Sequence, residues 1–236
     1  LNRMTALLRS PFEIIDISQP VNSKSACFPG DVPFSREISL TYKDSGVVNL
    51  TSFKMSPHVG SHADAPVHIE GSLEDGEGMV SELPLDVFVG PVRVVDLAPL
   101  GEGISKDMLT GKLAAGSEIA GEEVELDERI LFKTRHRIRY DIFEDDYAYI
   151  LPDLAHFLAG SATRLIGLDT PSVDHVDSKS LECHHILREG GLFWLENLDL
   201  SSVEEGNYTL LALPLKLEEL EAAPVRAVLL RENTEK

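Results

Sequence analysis

Apolar residues fall in short runs broken by Gly, Pro, Ser and Asp, a pattern that predicts many strands and few helices. Phe12 to Ile17 reads as a first strand, closed by Ser18-Gln19-Pro20. Arg36 to Tyr42 and Val47 to Met55 read as two more, joined by a turn at Asp44-Ser45-Gly46. Val92 to Leu97, Ile130 to Thr134, Thr163 to Leu168 and Leu192 to Leu195 are apolar enough for buried strands, and Tyr208 to Leu213 and Val225 to Leu230 close the series. Helices are predicted after Ser105 as N-cap, over Pro152 to Leu158 with Gly160 as C-cap, and from a Ser178 cap through Arg188 to Gly190-Gly191. Ala114 to Glu128 has no clear period and reads as a surface excursion. Strands and helices alternate irregularly, so the expected fold is a single α/β domain over residues 1–236, a mixed, strand-rich sheet flanked by helices, with 1–11 as an extended N-terminal segment.

Charge narrows the function. With 21 basic and 40 acidic residues the chain carries a formal charge of −19, which repels nucleic acid and anionic membranes. Two cysteines, Cys27 and Cys183, make no disulfide framework and point to a reducing, cytoplasmic setting. No apolar run is long enough for a membrane span. The one basic patch, Arg135 to Arg139, has ordinary ion-pair partners nearby in Glu144, Asp145 and Asp146. No internal repeat, glycine-rich phosphate loop or Gly-x-Ser-x-Gly elbow is present.

The densest chemistry lies in His58-Val59-Gly60-Ser61-His62-Ala63-Asp64-Ala65-Pro66-Val67-His68. Imidazoles and a carboxylate crowded this closely repel or lose solvation unless a cation neutralises them, and a borderline-soft divalent ion such as zinc suits both donor types. Pro57, Gly60 and Pro66 predict a loop, with Asp64 on the same side of an extended chain as His62. His68, four residues on, fits an acid or base beside the metal better than a further ligand, because a catalytic metal keeps a position open.

Later candidates are less determined by pattern. His184 and His185 point about a hundred degrees apart on a helix, and periodicity does not choose between them as ligand. Glu196 ends an apolar strand, where a metal or a buried salt bridge would compensate it. Phe28 sits in a Cys27-Phe28-Pro29-Gly30-Asp31 segment with the signature of a type II turn.

Taken together, these motifs resemble the cyclase-like metal hydrolases, the family of the bacterial kynurenine formamidases. The first cluster resembles the His-x-Gly-[Thr/Ser]-His-x-Asp-x-Pro-x-His signature. Gly167 to Asp174, Leu181 to His184, Leu195 to Leu198, Leu211 to Leu215 and Pro224 to Leu229 follow in the family order. The resemblance implies His58, His62, Asp64, His184 and Glu196 as ligands of two divalent ions, zinc first with manganese or cobalt acceptable, Asp64 bridging them and His68 moving the proton. It implies a small aryl formamide, N-formylkynurenine, as substrate, and a homodimer as assembly. Phe28 stands where the family usually has a pocket-lining Trp, so it is the expected substrate contact. The alternatives are a related amide or isatin-type ring hydrolase, a binding module with a structural metal, and a thiol hydrolase built on Cys183 and His184.

Overall fold

A computed structural model describes residues 11–115 and 125–232. Its strands are β1 (Phe12–Asp16), β2 (Ser35–Leu40), β3 (Leu50–Lys54), β4 (His62–Asp64), β5 (Val89–Asp96), β6 (Gly103–Ile104), β7 (Arg129–Lys133), β8 (Tyr149–Ile150), β9 (Leu165–Leu168), β10 (Phe193–Glu196), β11 (Gly206–Leu211), β12 (Ala222–Pro224) and β13 (Val228–Glu232). The helices are α1 (Tyr42–Ser45), α2 (Lys106–Ala115), α3 (Pro152–Ala159) and α4 (Glu182–Glu189). Most of the 114–128 excursion lies outside the described residues.

The expected mixed sheet is present, nine strands in the order β1-β13-β11-β5-β7-β9-β10-β4-β12. β5, β7, β9 and β10 run parallel in its middle, and antiparallel strands flank them on both sides. β7 and β9 are buried at every position, as parallel strands covered on both faces require. Their alternation sorts side chains between two cores: Leu131, Leu165 and Leu195 enter one, while Ile130, Phe132, Ile166 and Trp194 enter the other with Leu109, Leu154, Leu158 and Leu187 of the helices.

The sheet is strongly curled. β12 lies at one edge and β13 next to the other, seven spacings apart in strand order, about 34 Å if the sheet were flat. Only four residue steps, from Pro224 to Val228, connect them, a reach of at most about 14 Å. The antiparallel bridge Pro214↔Val225 lies in that connection.

Four expectations need correction. The helix predicted from Ser178 begins at Glu182; Leu181 holds a left-handed conformation (φ 48°), and the Ser178 hydroxyl accepts from its N–H at 3.1 Å, closing a separate turn. The run Val225 to Leu230 is not one strand, since its beginning follows β12 and only Val228 onward joins β13. The segment read as loop around His62 contains β4, seated between β10 and β12. The Asp44-Ser45-Gly46 turn is one helical turn, α1, capped by Thr41 and closed at Gly46 with φ 69°. Among the described residues no helix is long and apolar enough to cross a membrane.

Candidate metal centre

Strand pairing assembles the site. Antiparallel register sets His62 opposite Glu196 and Ala63 opposite Leu195, so one residue further Asp64 faces Trp194. Period two puts all four polar side chains on the same face of β4 and β10. His62 Nε2 lies 3.3 Å from Glu196 Oε2, and the Trp194 indole donates to Asp64 Oδ2 at 2.9 Å. Gly60 makes the turn that delivers β4; its φ is 74°, and a Cβ there would meet Val21 Cγ2 at 2.6 Å.

The other imidazoles converge on the two carboxylates from both sides. His58 Nδ1 is 3.1 Å from Asp64 Oδ1 and His62 Nε2 is 3.3 Å from the same oxygen. His184 Nε2 lies 3.8 Å from Asp64 Oδ2 and 3.7 Å from Glu196 Oε1, and His68 Nε2 is 3.9 Å from Asp64 Oδ2. Each carboxylate thus presents one oxygen toward the His62 side and the other toward the His184 side. His58, Asp64 and His68 offer three ligand atoms within 4.8 Å of one another, as do His62, Asp64 and Glu196.

Outer partners orient the rings. His62 Nδ1 bonds the Gly60 carbonyl at 3.0 Å, and His184 Nδ1 bonds Asp174 Oδ2 at 2.6 Å, leaving each Nε2 aimed inward. Asp174 also accepts from the backbone N–H groups of Cys183 (3.1 Å) and His184 (3.0 Å), tying the first turn of α4 to the site. His58 Nε2 faces Glu221 at 3.5 Å. Glu196 Oε1 accepts from the Val173 N–H at 2.8 Å, and no Lys or Arg salt bridge to it is found among the described residues.

The donor set fits a divalent metal. Among the described residues His62 Nε2 and Asp64 Oδ1 are buried and make no hydrogen bond, although they lie 3.3 Å apart. Burial alone would push these imidazoles toward neutrality, but the carboxylates override it and raise His58 to about 11 and His62 and His184 to about 9. Burial would likewise raise Asp64, but the surrounding imidazoles hold it well below the usual carboxylate range. In the bare protein, protons thus supply the positive charge that the carboxylates require. His68 departs from this pattern: burial dominates, its pKa falls below the ordinary 6.5, and its side chain is 28 % exposed.

His58, His68, His184 and Glu196 line a cavity of about 340 Å³, together with Phe28, Leu181 and Asp31. Phe28 is on its wall, stacked edge-to-face on Phe143 at 5.2 Å. All seven residues singled out from the sequence therefore meet at one place. The adjacent His185 is not among the cluster's contacts and is half-buried on α4. The sequence assigns no role to Asp174, Trp194 or Glu221; Trp194 is accessible through its spacing of two from Glu196 and Asp174 closes the Gly167 to Asp174 motif, whereas Glu221 is brought in by a segment with no local pattern.

The thiol alternative fails on environment. Cys183 is buried and bonds the Ile150 carbonyl at 3.0 Å, and burial pushes its pKa to about 12. Cys27 is also raised by burial. Neither is the low-pKa thiolate that nucleophilic attack needs.

The sequence profile described as "Putative cyclase" matches residues 15–175. Kynurenine formamidase of Bacillus cereus is 43% identical over 218 residues, 92% of this chain and 97% of its own, and that of Paracidovorax citrulli is 40% identical over 223 residues, 94% and 98%. A solved structure described as a predicted metal-dependent hydrolase from Bacillus stearothermophilus superposes with a TM-score of 0.74 at 25% identity, covering 93% of this chain and 98% of that one. Isatin hydrolase A from Labrenzia aggregata shares the fold, with a TM-score of 0.78 at 22% identity over 98% of both chains. With the profile spanning the His58 to His68 cluster and relatives of this identity aligned nearly end to end, the chain belongs to the cyclase family.

Proposed function

We propose that the protein is a metal-dependent arylformamidase that hydrolyses N-formyl-L-kynurenine to L-kynurenine and formate. The observation that carries this reading is the unbonded pair His62 Nε2 and Asp64 Oδ1, buried at the centre of a five-residue nitrogen and oxygen donor set. Relatives at 40% and 43% identity bear the name of this activity.

His58, His62, Asp64, His184 and Glu196 would hold two ions, with Asp64 and Glu196 each offering an oxygen to either side. Zinc suits this ligand set, and manganese or cobalt would accept it. Bound divalent metal supplies Lewis-acid polarisation of the formyl carbonyl and lowers the pKa of water toward neutrality. His68 is unprotonated at neutral pH because burial lowers its pKa. It takes a proton as water attacks the formyl carbon, and returns it to the aryl nitrogen as the C–N bond breaks. Phe28, on the cavity wall and backed edge-to-face by Phe143, offers its ring to the substrate's ring. Asp174 and Gly60 keep the Nε2 lone pairs of His184 and His62 directed inward.

The whole chain acts as one hydrolase domain, in the cytoplasm, as a homodimer. The β2–β3 hairpin supports the dimer: no strand position in it is buried, and Ile38, Leu50 and Phe53 are exposed, so an arm of marginal stability by itself needs a second surface. The test is hydrolysis by metal-loaded protein of N-formylkynurenine beside isatin. Formate release without isatin opening supports the formamidase; isatin opening alone moves the substrate to ring amides.

A further inference from the structure

Beside the metal cavity lies a narrow annex of about 40 Å³, room for a few atoms and not for a ring. Phe28, Pro171 and Asn197 line both spaces, so the annex opens just past the aromatic wall. Four charged side chains, Arg135, Arg139, Glu144 and Asp169, line it. Three of them are engaged. Asp169 accepts from Thr134 N, Thr134 Oγ1 and Arg135 N at 2.9, 2.6 and 3.1 Å, and Arg135 is bonded to Glu144. Arg139 is the exception: among the described residues its one charged contact is Glu144 Oε1 at 4.0 Å, beyond hydrogen-bond range. A guanidinium has five donors, and these remain available.

The charge of the surroundings makes this placement informative. The metal cavity itself is lined by Asp31, Glu196 and Glu221, and the chain carries a net charge of −19. Apart from the imidazoles of the metal cluster, Arg135 and Arg139 are the only cationic side chains among the described residues that line the two spaces. N-formylkynurenine has an anionic group: its amino-acid tail, ortho to the formamide, ends in a carboxylate, small enough for the annex.

We propose that Arg139 is a specificity-determining residue that binds the α-carboxylate of the substrate in this annex, while Arg135, fixed by Glu144, frames it. This rests on the formamidase reading and extends it from the reacting bond to the remote end of the substrate. A guanidinium pairs with a carboxylate through two parallel N–H bonds, a geometry that lysine does not reproduce.

The experiment compares N-formylkynurenine with 2-formamidoacetophenone, which keeps the formamide, ring and ketone and lacks the amino-acid tail. Metal-loaded wild type, Arg139→Ala and Arg139→Lys are assayed on both. Arg139→Ala is expected to raise KM for N-formylkynurenine about tenfold at little change in kcat, with Arg139→Lys between, as loss of a charge-assisted contact implies. Its kcat/KM on the tailless amide is expected to equal that of wild type. Unchanged KM for N-formylkynurenine, or an equal loss on both substrates, overturns the carboxylate site while leaving the formamidase intact. Wild-type turnover of the tailless amide alone removes N-formylkynurenine as substrate and the carboxylate site with it, and turnover of neither removes the arylformamidase reading and the carboxylate site built on it.

Discussion

Replacing Asp174 by alanine leaves every proposed metal ligand in place and removes the group that orients one of them. The Asp174 carboxylate accepts three hydrogen bonds: His184 Nδ1 at 2.6 Å and the backbone N–H groups of His184 and Cys183 at 3.0 and 3.1 Å. The imidazole bond is charge-assisted and worth about 1.5–3 kcal/mol, and loss of a carboxylate at a helix N-terminus costs about 1 kcal/mol. A total of about 3 kcal/mol corresponds in a chain of this size to a melting temperature lower by about 6–12 °C in chelator-treated protein. Without Asp174 the His184 ring is free to carry its proton on Nε2, which removes the inward lone pair, and metal affinity should fall about 10–100-fold. Burial opposes ionisation of Asp174, but His184 and the two N–H groups outweigh it and lower its pKa. Its stabilisation is therefore complete above the ordinary carboxylate value of 3.8 and is lost as pH falls through the lower folded value, so wild type and Asp174→Ala should converge in acid. Calorimetry across pH and competitive metal titration read both effects. Unchanged metal affinity, or a stability gap independent of pH, would refute the positioning role.

Metal uptake should release protons, because His58, at about 11, and His62 and His184, at about 9, are protonated at pH 7 in the bare cluster and must lose protons to bind; affinity should rise with pH, which titration calorimetry in buffers of different ionisation enthalpy will show. His68→Ala should keep bound metal, measured by elemental analysis, and lose about 10²–10⁴-fold in kcat, as removal of a general acid and base does. Cys183→Ala should leave kcat unchanged in a formate-release assay, since its thiol is buried on the Ile150 carbonyl; a collapse of kcat in folded protein would restore the thiol mechanism. Gly167→Ala should cost about 1–3 kcal/mol in urea denaturation, because a Cβ there would meet Leu131 Cδ2 at 2.5 Å and Leu198 Cδ1 at 2.9 Å inside the sheet.

The site was more legible in the sequence than the sheet. His62 and Asp64 stand two apart on an extended segment, and Glu196 ends an apolar strand, so each announced its environment locally. His184 and His185 differ only in what faces them, and that is decided by Asp174, ten residues upstream. A serine before an apolar run, as at Ser178, resembles an N-cap whether or not the next residues stay helical; Leu181 in a left-handed conformation interrupts them. The apolar run Val225 to Leu230 gave no sign that its two ends join opposite sides of the sheet. That division arises from β12 pairing with β4 and β13 pairing with β11 and β1, contacts far apart in the chain.

The most direct test of the account is the number of divalent ions retained per chain, measured by native mass spectrometry on zinc-reconstituted wild type and Asp64→Ala. The account predicts two ions for wild type and loss of both from the variant, since one carboxylate contributes an oxygen to each side of the cluster. A wild-type chain that folds and holds no metal, or an Asp64→Ala chain that keeps both ions, would contradict it.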